Sequence, residues 1–313
     1  MHLLIPFAAP LSDAGQAALG ALALPRLAAL LARWDEVSRD AGDEYTLSPP
    51  HERALAAAWG WPVADGLLPL AAVAAADDGL VSESDERGWA LLSPTHWQTT
   101  TEQVALTDPG ELALDDSAAR TLFAALQPLF AGDGWSLHWG APTRWYARHA
   151  SLASLPTASL DRVACRSVQP WLNRHPEARA LRRLQAEAQM LLHTHPLNAE
   201  REARGQPPVN SFWASGTGAS LAVDPARRQS VNVDAALRAP ALAEDWTAWA
   251  EAWQRIDAGP LRVLLDAADA GRQVRLTLCG ERTAATWTPR ARPLWRRWFG
   301  PSRADISPAL AEL

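Results

Sequence analysis

The chain has no lysine: its 29 basic residues are all arginine, set against 35 acidic ones. The arginines are scattered, and the net charge is −6. That balance excludes the concentrated basic face that non-specific nucleic-acid binding needs to neutralise phosphates. Cysteine is almost absent; Cys165 and Cys279 are too few for a disulfide framework or a cysteine-built zinc site. Long apolar runs are missing as well. The longest, 67–76, is far short of the roughly 20 residues a spanning helix needs. The first ten residues have no basic n-region, and Pro6 interrupts their apolar stretch, so they do not read as a signal peptide. Tyrosine (2), methionine (2) and phenylalanine (5) are scarce, whereas tryptophan is abundant at 16, which we read with the missing lysine as compositional bias. These absences point to a soluble cytoplasmic protein with neither nucleic acid nor membrane as partner.

The 313 residues, 48% apolar and 20% charged, can bury one large core or two smaller ones. A buried strand is predicted over 3–7, and Ser12 or Asp13 caps a helical region. Leu27, Leu30, Leu31 and Trp34 recur at helical spacing after Pro25, and Ser48-Pro49-Pro50 opens a helix through Trp59. The stretch 89–108 alternates and reads as two strands joined near 99–102. A capped helix follows from Asp115, ending at Gly132 or Gly134, then a strand pair around Gly140-Ala141-Pro142. The clearest helix is 175–195, with Leu181, Leu184, Ala188 and Leu191 on one face. Later come a strand over 209–216, a helix over 245–255, strands over 261–266 and 273–281, and a short last helix over 292–300. The interspersed elements imply an α/β fold, a mixed sheet with flanking helices. The weakest seam lies at Asp108–Pro109. The division drawn is an N-terminal α/β part (1–108), an α+β inserted-type region (109–195) and a C-terminal α/β part (196–313) that packs with the first.

One segment, HTHPLNAEREARGQPPVNSFWASGTG (193–218), has polar residues too regularly placed for a plain connector. Its closing Ser215-Gly216-Thr217-Gly218 follows a strand, as phosphate-cradling loops do, but lacks both the third glycine of a dinucleotide fingerprint and a P-loop lysine. It is either a turn that needs positive φ or a ligand loop. Arg201 could grip a carboxylate or phosphate with Asn198 and Asn210 shaping the loop, or all three could brace the turn. His193 and His195 are two apart where the helix meets a proline; a metal role is the weaker reading, and His195 is expected to cap the helix end. Trp246, Trp249 and Trp253 at helical spacing read as core, and Cys165 as a small buried hydrophobe. Residues 82–87 read as a solvated loop. There is no Gly-x-Ser-x-Gly elbow and no His-Glu-x-x-His motif.

The same segment resembles that of archaeal-type cofactor-independent phosphoglycerate mutases, through His195, Pro196, Asn198, Arg201, Gly205, Pro208, Asn210, Trp213, Gly216 and Gly218. A longer pattern is similar to RpfE-type bacterial regulatory proteins, carried by LSPTHWQTTTEQVALTDP, LPTASLDRV, the segment itself with the helix before it, and LTLCGER. The first resemblance implies an alkaline-phosphatase-like fold with a small α+β inserted region, two divalent metals and a phosphoryl-carrying serine. The second implies a regulatory role. The chain departs from the mutase pattern: where that family's first strand meets an aspartate-glycine metal motif, this one runs into Phe7-Ala8-Ala9-Pro10, and no histidine follows Gly218. Two metals are needed to hold attacking and leaving oxygens together. The departures therefore imply a catalytically silent relative without cofactor or metal. It would bind a phosphorylated small molecule or a protein partner, with Asn198, Arg201, Asn210 and 215–218 as the ligand-binding set. Two alternatives stay open: an active mutase or phosphatase with a divalent metal held by unrecognised ligands, and a protein-interaction scaffold using the surplus tryptophans.

Overall fold

The computed structural model describes residues 1–80, 87–99, 103–290 and 307–313. The expected loop over 82–87, the joint at 99–102 and the last helix over 292–300 fall wholly or mostly outside these residues. In chain order, the first stretch holds β1 (His2–Ile5), α1 (Asp13–Gly20), α2 (Pro25–Leu31), β2 (Trp34–Ala41) and α3 (Pro50–Trp59). The middle holds α4 (Leu70–Asp77), β3 (Gly88–Thr95), β4 (Trp97–Thr99), β5 (Val104–Leu106), α5 (Asp116–Leu126), β6 (Ser136–Ala141), β7 (Arg144–His149), α6 (Leu160–Val163), α7 (Arg179–His193), α8 (Pro196–Ala203) and β8 (Ser211–Ser215). The last holds α9 (Pro225–Ser230), β9 (Val231–Val233), α10 (Arg238–Leu242), α11 (Trp246–Ala258), α12 (Pro260–Asp269), β10 (Arg275–Cys279), β11 (Thr283–Pro289) and α13 (Ser307–Ala311).

The chain forms two compact units, one of 1–44, 49–62 and 223–313, the other of 45–48 and 63–222. The sequence-based cuts at 108 and 195 both fall inside the second unit. The reason is pairing: β3, from before the first cut, is hydrogen-bonded to β7 and to β8, which lie on either side of the second.

The first unit is α/β with a mixed sheet flanked by helices. Its strand order is β2-β11-β10-β1-β9, with β1 parallel to β10 and β9 and the pairs β10–β11 and β11–β2 antiparallel. Strand alternation sends Leu3, Ile5, Leu276 and Leu278 to one face, where they pack with Leu27, Leu30, Trp249, Trp253, Ile256 and Leu264 of α2, α11 and α12. Leu4 and Cys279 go to the other face with Ala54 and Leu55 of α3. A strand covered on both faces must be apolar throughout, which is why LLI is uninterrupted. The tryptophan stripe is core as expected: Trp249 and Trp253 are fully buried.

Buried polar groups pin this unit. Asp257 of α11, 3% exposed, accepts from the backbone N–H groups of Arg26 (3.1 Å) and Leu27 (2.9 Å), satisfying the first turn of α2, whose N-cap residue Leu24 offers no side-chain acceptor. His2 Nε2 lies 2.7 Å from Thr277 Oγ1, which lies 2.8 Å from Thr286 Oγ1, a polar chain across three central strands. Burial, with Arg275 and the N-terminal ammonium nearby, lowers the His2 pKa to about 4.

Several expectations are corrected. Residues 261–266 are not a strand but part of α12: Pro260 starts the helix, and Leu261, Leu264 and Ala267 recur on its buried side. Trp34 leaves the helix and opens β2, whose remaining residues are exposed or partly so. α4, β9 and β11 were not anticipated. β9 has only three residues, and α4 is an alanine-rich run whose apolar residues go all round the helix, so neither shows a clean period. The alternating stretch 89–108 is β3 plus the hairpin strands β4 and β5.

The second unit is a four-stranded antiparallel sheet, order β6-β7-β3-β8, with α5 and α7 packed on one face through Leu122, Phe123, Leu126, Leu184, Ala188 and Leu192. α4 covers the other face through Ala71, Ala72 and Ala75 against Trp89 and Tyr146. Asp78, just past α4, accepts a forked pair of bonds from Arg144 (2.8 and 2.7 Å) and one from Tyr146 (2.7 Å), which holds its carboxyl below the usual range. Among the described residues no single helix is long and apolar enough to cross a membrane.

Two measurements check these statements. Asp257→Ala leaves two buried N–H groups without acceptors and should cost about 2–3 kcal/mol in urea unfolding. His2 titrates at 6.5 when unfolded and about 4 when folded. The unfolded chain therefore binds the extra proton first, so stability is full above pH 6.5 and falls toward pH 4, by up to about 3 kcal/mol. In His2→Gln that part of the pH slope should vanish.

Candidate functional site

The segment 193–218 is a brace built from side chains holding backbone. Proline at position 196 starts α8, so the expected loop around Asn198 and Arg201 is helical. His195 caps the start of that helix, its Nδ1 accepting from Leu197 N at 3.2 Å, rather than the end of α7 as expected. Asn198, 4% exposed, donates to Leu192 O and Val209 O (both 2.8 Å) and accepts from Val209 N (2.9 Å). Arg201, 2% exposed, donates from Nε to Pro207 O at 3.1 Å and from one terminal nitrogen to Leu112 O. Its guanidinium thus faces two carbonyls, and burial lowers its pKa. Asn210 closes the set: its amide oxygen accepts from Trp97 N (2.7 Å), and its amide nitrogen donates to Trp97 O (3.0 Å).

The glycine turn is buried too. Gly216 has φ +70 and Gly218 φ +143, and a Cβ at Gly216 would meet Ala71 N at 2.8 Å. Gly218 N donates to Leu152 O at 3.0 Å. Thr217, fully buried, donates to Leu155 O (2.6 Å) and lies 2.8 Å from Thr157 Oγ1, while Ser215 is a buried strand residue. Of the two readings of this turn, backbone conformation and close approach explain the glycines directly. Gly205 closes α8 with φ +72, Pro208 accepts from a ring nitrogen of His96 (2.8 Å), and Trp213 Nε1 donates to Ala158 O (2.9 Å).

What this brace positions is an open groove along the outer side of α7. One half, of about 450 Å³, is lined by Trp97, Trp171 and Trp213, by Leu181, Gln185 and Gln189 of α7, and by Arg174 and Arg182. A second half, of about 510 Å³, shares Trp97, Leu172 and Gln189 and continues past Met190 and His193. Residues 181, 182, 185, 189, 190 and 193 recur at helical spacing, so one stripe of α7 forms the wall while Leu184, Ala188 and Leu192 face the core. The floor is β8, the edge strand of its sheet. Gln185 Nε2 donates to Phe212 O (2.8 Å) and Gln189 Nε2 to Ser211 Oγ (3.2 Å), so α7 closes part of that edge. Neither glutamine's amide oxygen has a partner among the described residues. The Trp97 and Trp213 ring centroids are 6.2 Å apart.

The groove's electrostatics are one-sided. Among the described residues no aspartate or glutamate lines either half. Arg182 donates to Asn173 O (2.7 Å) and His175 O (2.9 Å) but meets no carboxylate among the described residues, and Arg174 is exposed without a hydrogen bond or ion pair there. Sequence reasoning missed the groove because the tryptophans come from three distant segments; the signal available was the polar stripe on the otherwise well-read helix α7.

The turn after β1 is apolar: Ala8 and Ala9 are buried, and Phe7, at φ +56, accepts from Trp249 Nε1 at 3.0 Å. Among the described residues no group of three or more His, Cys, Asp or Glu gathers as metal ligands. Cys165 is exposed with φ +61, not the buried hydrophobe expected, because it ends α6 in a tight turn beside Leu106. Cys279 is the buried cysteine, its thiol pushed up by burial.

No protein-family model and no curated protein matches the chain. Among solved structures it is similar to the PH0037 protein of Pyrococcus horikoshii, at 14% identity over 92% of this chain and 87% of that one, with a TM-score of 0.48. It is also similar to a cofactor-independent phosphoglycerate mutase of Thermoplasma acidophilum, at 11% identity over 98% of this chain and 94% of that one, with a TM-score of 0.38. These are distant structural relationships and transfer no residue roles.

The brace makes a stability prediction. Asn198→Ala strands a buried N–H and two carbonyls and should cost about 3 kcal/mol by urea unfolding. Asn210→Ala, on partly buried backbone, should cost about 1–2 kcal/mol and alter Trp97 fluorescence.

Proposed function

We propose that this chain is a non-catalytic binding protein whose ligand-binding element is the tryptophan-lined groove of the second unit. One observation carries the reading: three indole rings and an α7 stripe line an open concavity whose arginines, Arg174 and Arg182, have no carboxylate to pair with among the described residues. Apolar lining supplies affinity and a few convergent polar groups supply orientation, which is the usual make-up of a ligand site. The ligand is anionic at one end and apolar along its body. Such a chain suits the regulatory role implied by the resemblance to RpfE-type proteins. It also fits a catalytically silent descendant of the mutase pattern, requiring no metal or other cofactor. The anion site moves from Arg201, engaged with carbonyls, to the exposed pair Arg174 and Arg182.

The probe is anilinonaphthalene sulfonate, an aromatic anion, followed by its own fluorescence and by tryptophan quenching. It should bind saturably at one site. Arg174→Glu alone, at an exposed position, should weaken binding without lowering the urea midpoint, and the double variant Arg174→Glu, Arg182→Glu, which also gives up the Arg182 bonds to Asn173 O and His175 O, should weaken it at least tenfold. Unchanged binding in that variant overturns the reading.

A further inference from the structure

We infer that the natural occupant of the groove is an extended peptide of five or six residues, apolar along its length and acidic where it meets Arg174 and Arg182; this rests on the binding reading above. The first reason is length. From Leu181 to His193 the wall of α7 advances 12 residue steps, about 18 Å at 1.5 Å per residue. That distance matches five or six residues of extended chain at roughly 3.3 Å each, whereas a compact metabolite occupies only one half. The two halves adjoin, with Trp97, Leu172 and Gln189 lining both.

The second reason is charge. Among the described residues the far half is lined by apolar or uncharged side chains apart from His193, and the charged residues of the near half are the two arginines. α7 begins at that arginine end, continuing from a turn over Pro176–Ala178 that carries the exposed Glu177. The complement is a ligand with its negative charge at one end, not spread along it. The third reason is exposed apolar surface. Met190 is 68% exposed and Leu172 is 37% exposed, both on the groove wall. Methionine adapts to varied apolar side chains, and a flexible thioether on an open trough suits a peptide better than a rigid small molecule. Gln185 and Gln189 set amide oxygens without partners at the intervals where a passing backbone offers N–H groups.

The test uses fluorescein-labelled peptide pools and anisotropy on the full chain. One pool holds hexapeptides with Asp or Glu at the two positions of one end and Leu, Met or Trp at the other four; a second has Lys in place of the acids; a third holds dipeptides of one acid and one of these apolar residues. The acidic hexapeptides should bind at least tenfold more tightly than the lysine pool and than the dipeptides, and should weaken as salt rises. Arg174→Glu with Arg182→Glu should abolish the acidic preference. Met190→Asp should weaken the hexapeptides at least fivefold and leave anilinonaphthalene sulfonate unchanged, since that probe reaches only the near half. If the sulfonate binds but the hexapeptides gain nothing over dipeptides, the peptide inference fails and the groove remains a small-molecule site. If neither binds, both readings fall.

Discussion

The amide of Asn210 sits against both polar groups of the Trp97 backbone, and much of the second unit's geometry follows from that clamp. A segment that leaves α7, turns through α8 and returns as β8 has many backbone groups to satisfy away from water. Asn198 satisfies Leu192 and Val209, Arg201 satisfies Pro207 and Leu112, and Thr217 satisfies Leu155. The residues most suggestive of ligand chemistry are thus the ones that let this connector be buried. Because they fix where residues 207–213 lie, they also fix Trp97 and Trp213, and with them one side of the groove.

That division of labour separates charge from structure. Arg201 is desolvated and faces carbonyl oxygens, so its positive charge serves local dipoles. Arg174 and Arg182 lie at the surface, where Arg182 is anchored on two carbonyls and Arg174 is unengaged among the described residues. An arginine held on one side with charge to spare is preorganised for an incoming anion, which lowers the ordering cost of binding. The first unit contributes a doubly covered sheet whose interior polar groups, Asp257 and His2, have partners.

Legibility tracked the range of the interactions involved. The α/β class, α7, β8 and the Trp249–Trp253 stripe were readable because each shows its period within a few residues. α12 was misread because LRVLLD is as apolar as a strand, and only Pro260 and the burial of Leu261, Leu264 and Ala267 reveal its helical register. β2 was missed because edge exposure removes the alternation that marks a half-buried strand. Cys165 was misjudged because its exposure follows from a positive-φ turn set by the neighbouring strand.

The sequence by itself determined composition, charge balance, the main periodic elements and the loop-shaping residues, since those depend on local spacing and side-chain chemistry. It also marked Asn198, Arg201 and Asn210 as a set without deciding what they hold. Only the tertiary structure decided that they hold backbone, that Trp97, Trp171 and Trp213 converge on α7, and that Arg174 and Arg182 meet no carboxylate among the described residues. Those facts depend on which strands pair, and β3 pairs with β7 at separations of 53 to 61 residues and with β8 at 116 to 124, distances over which local patterning carries no information.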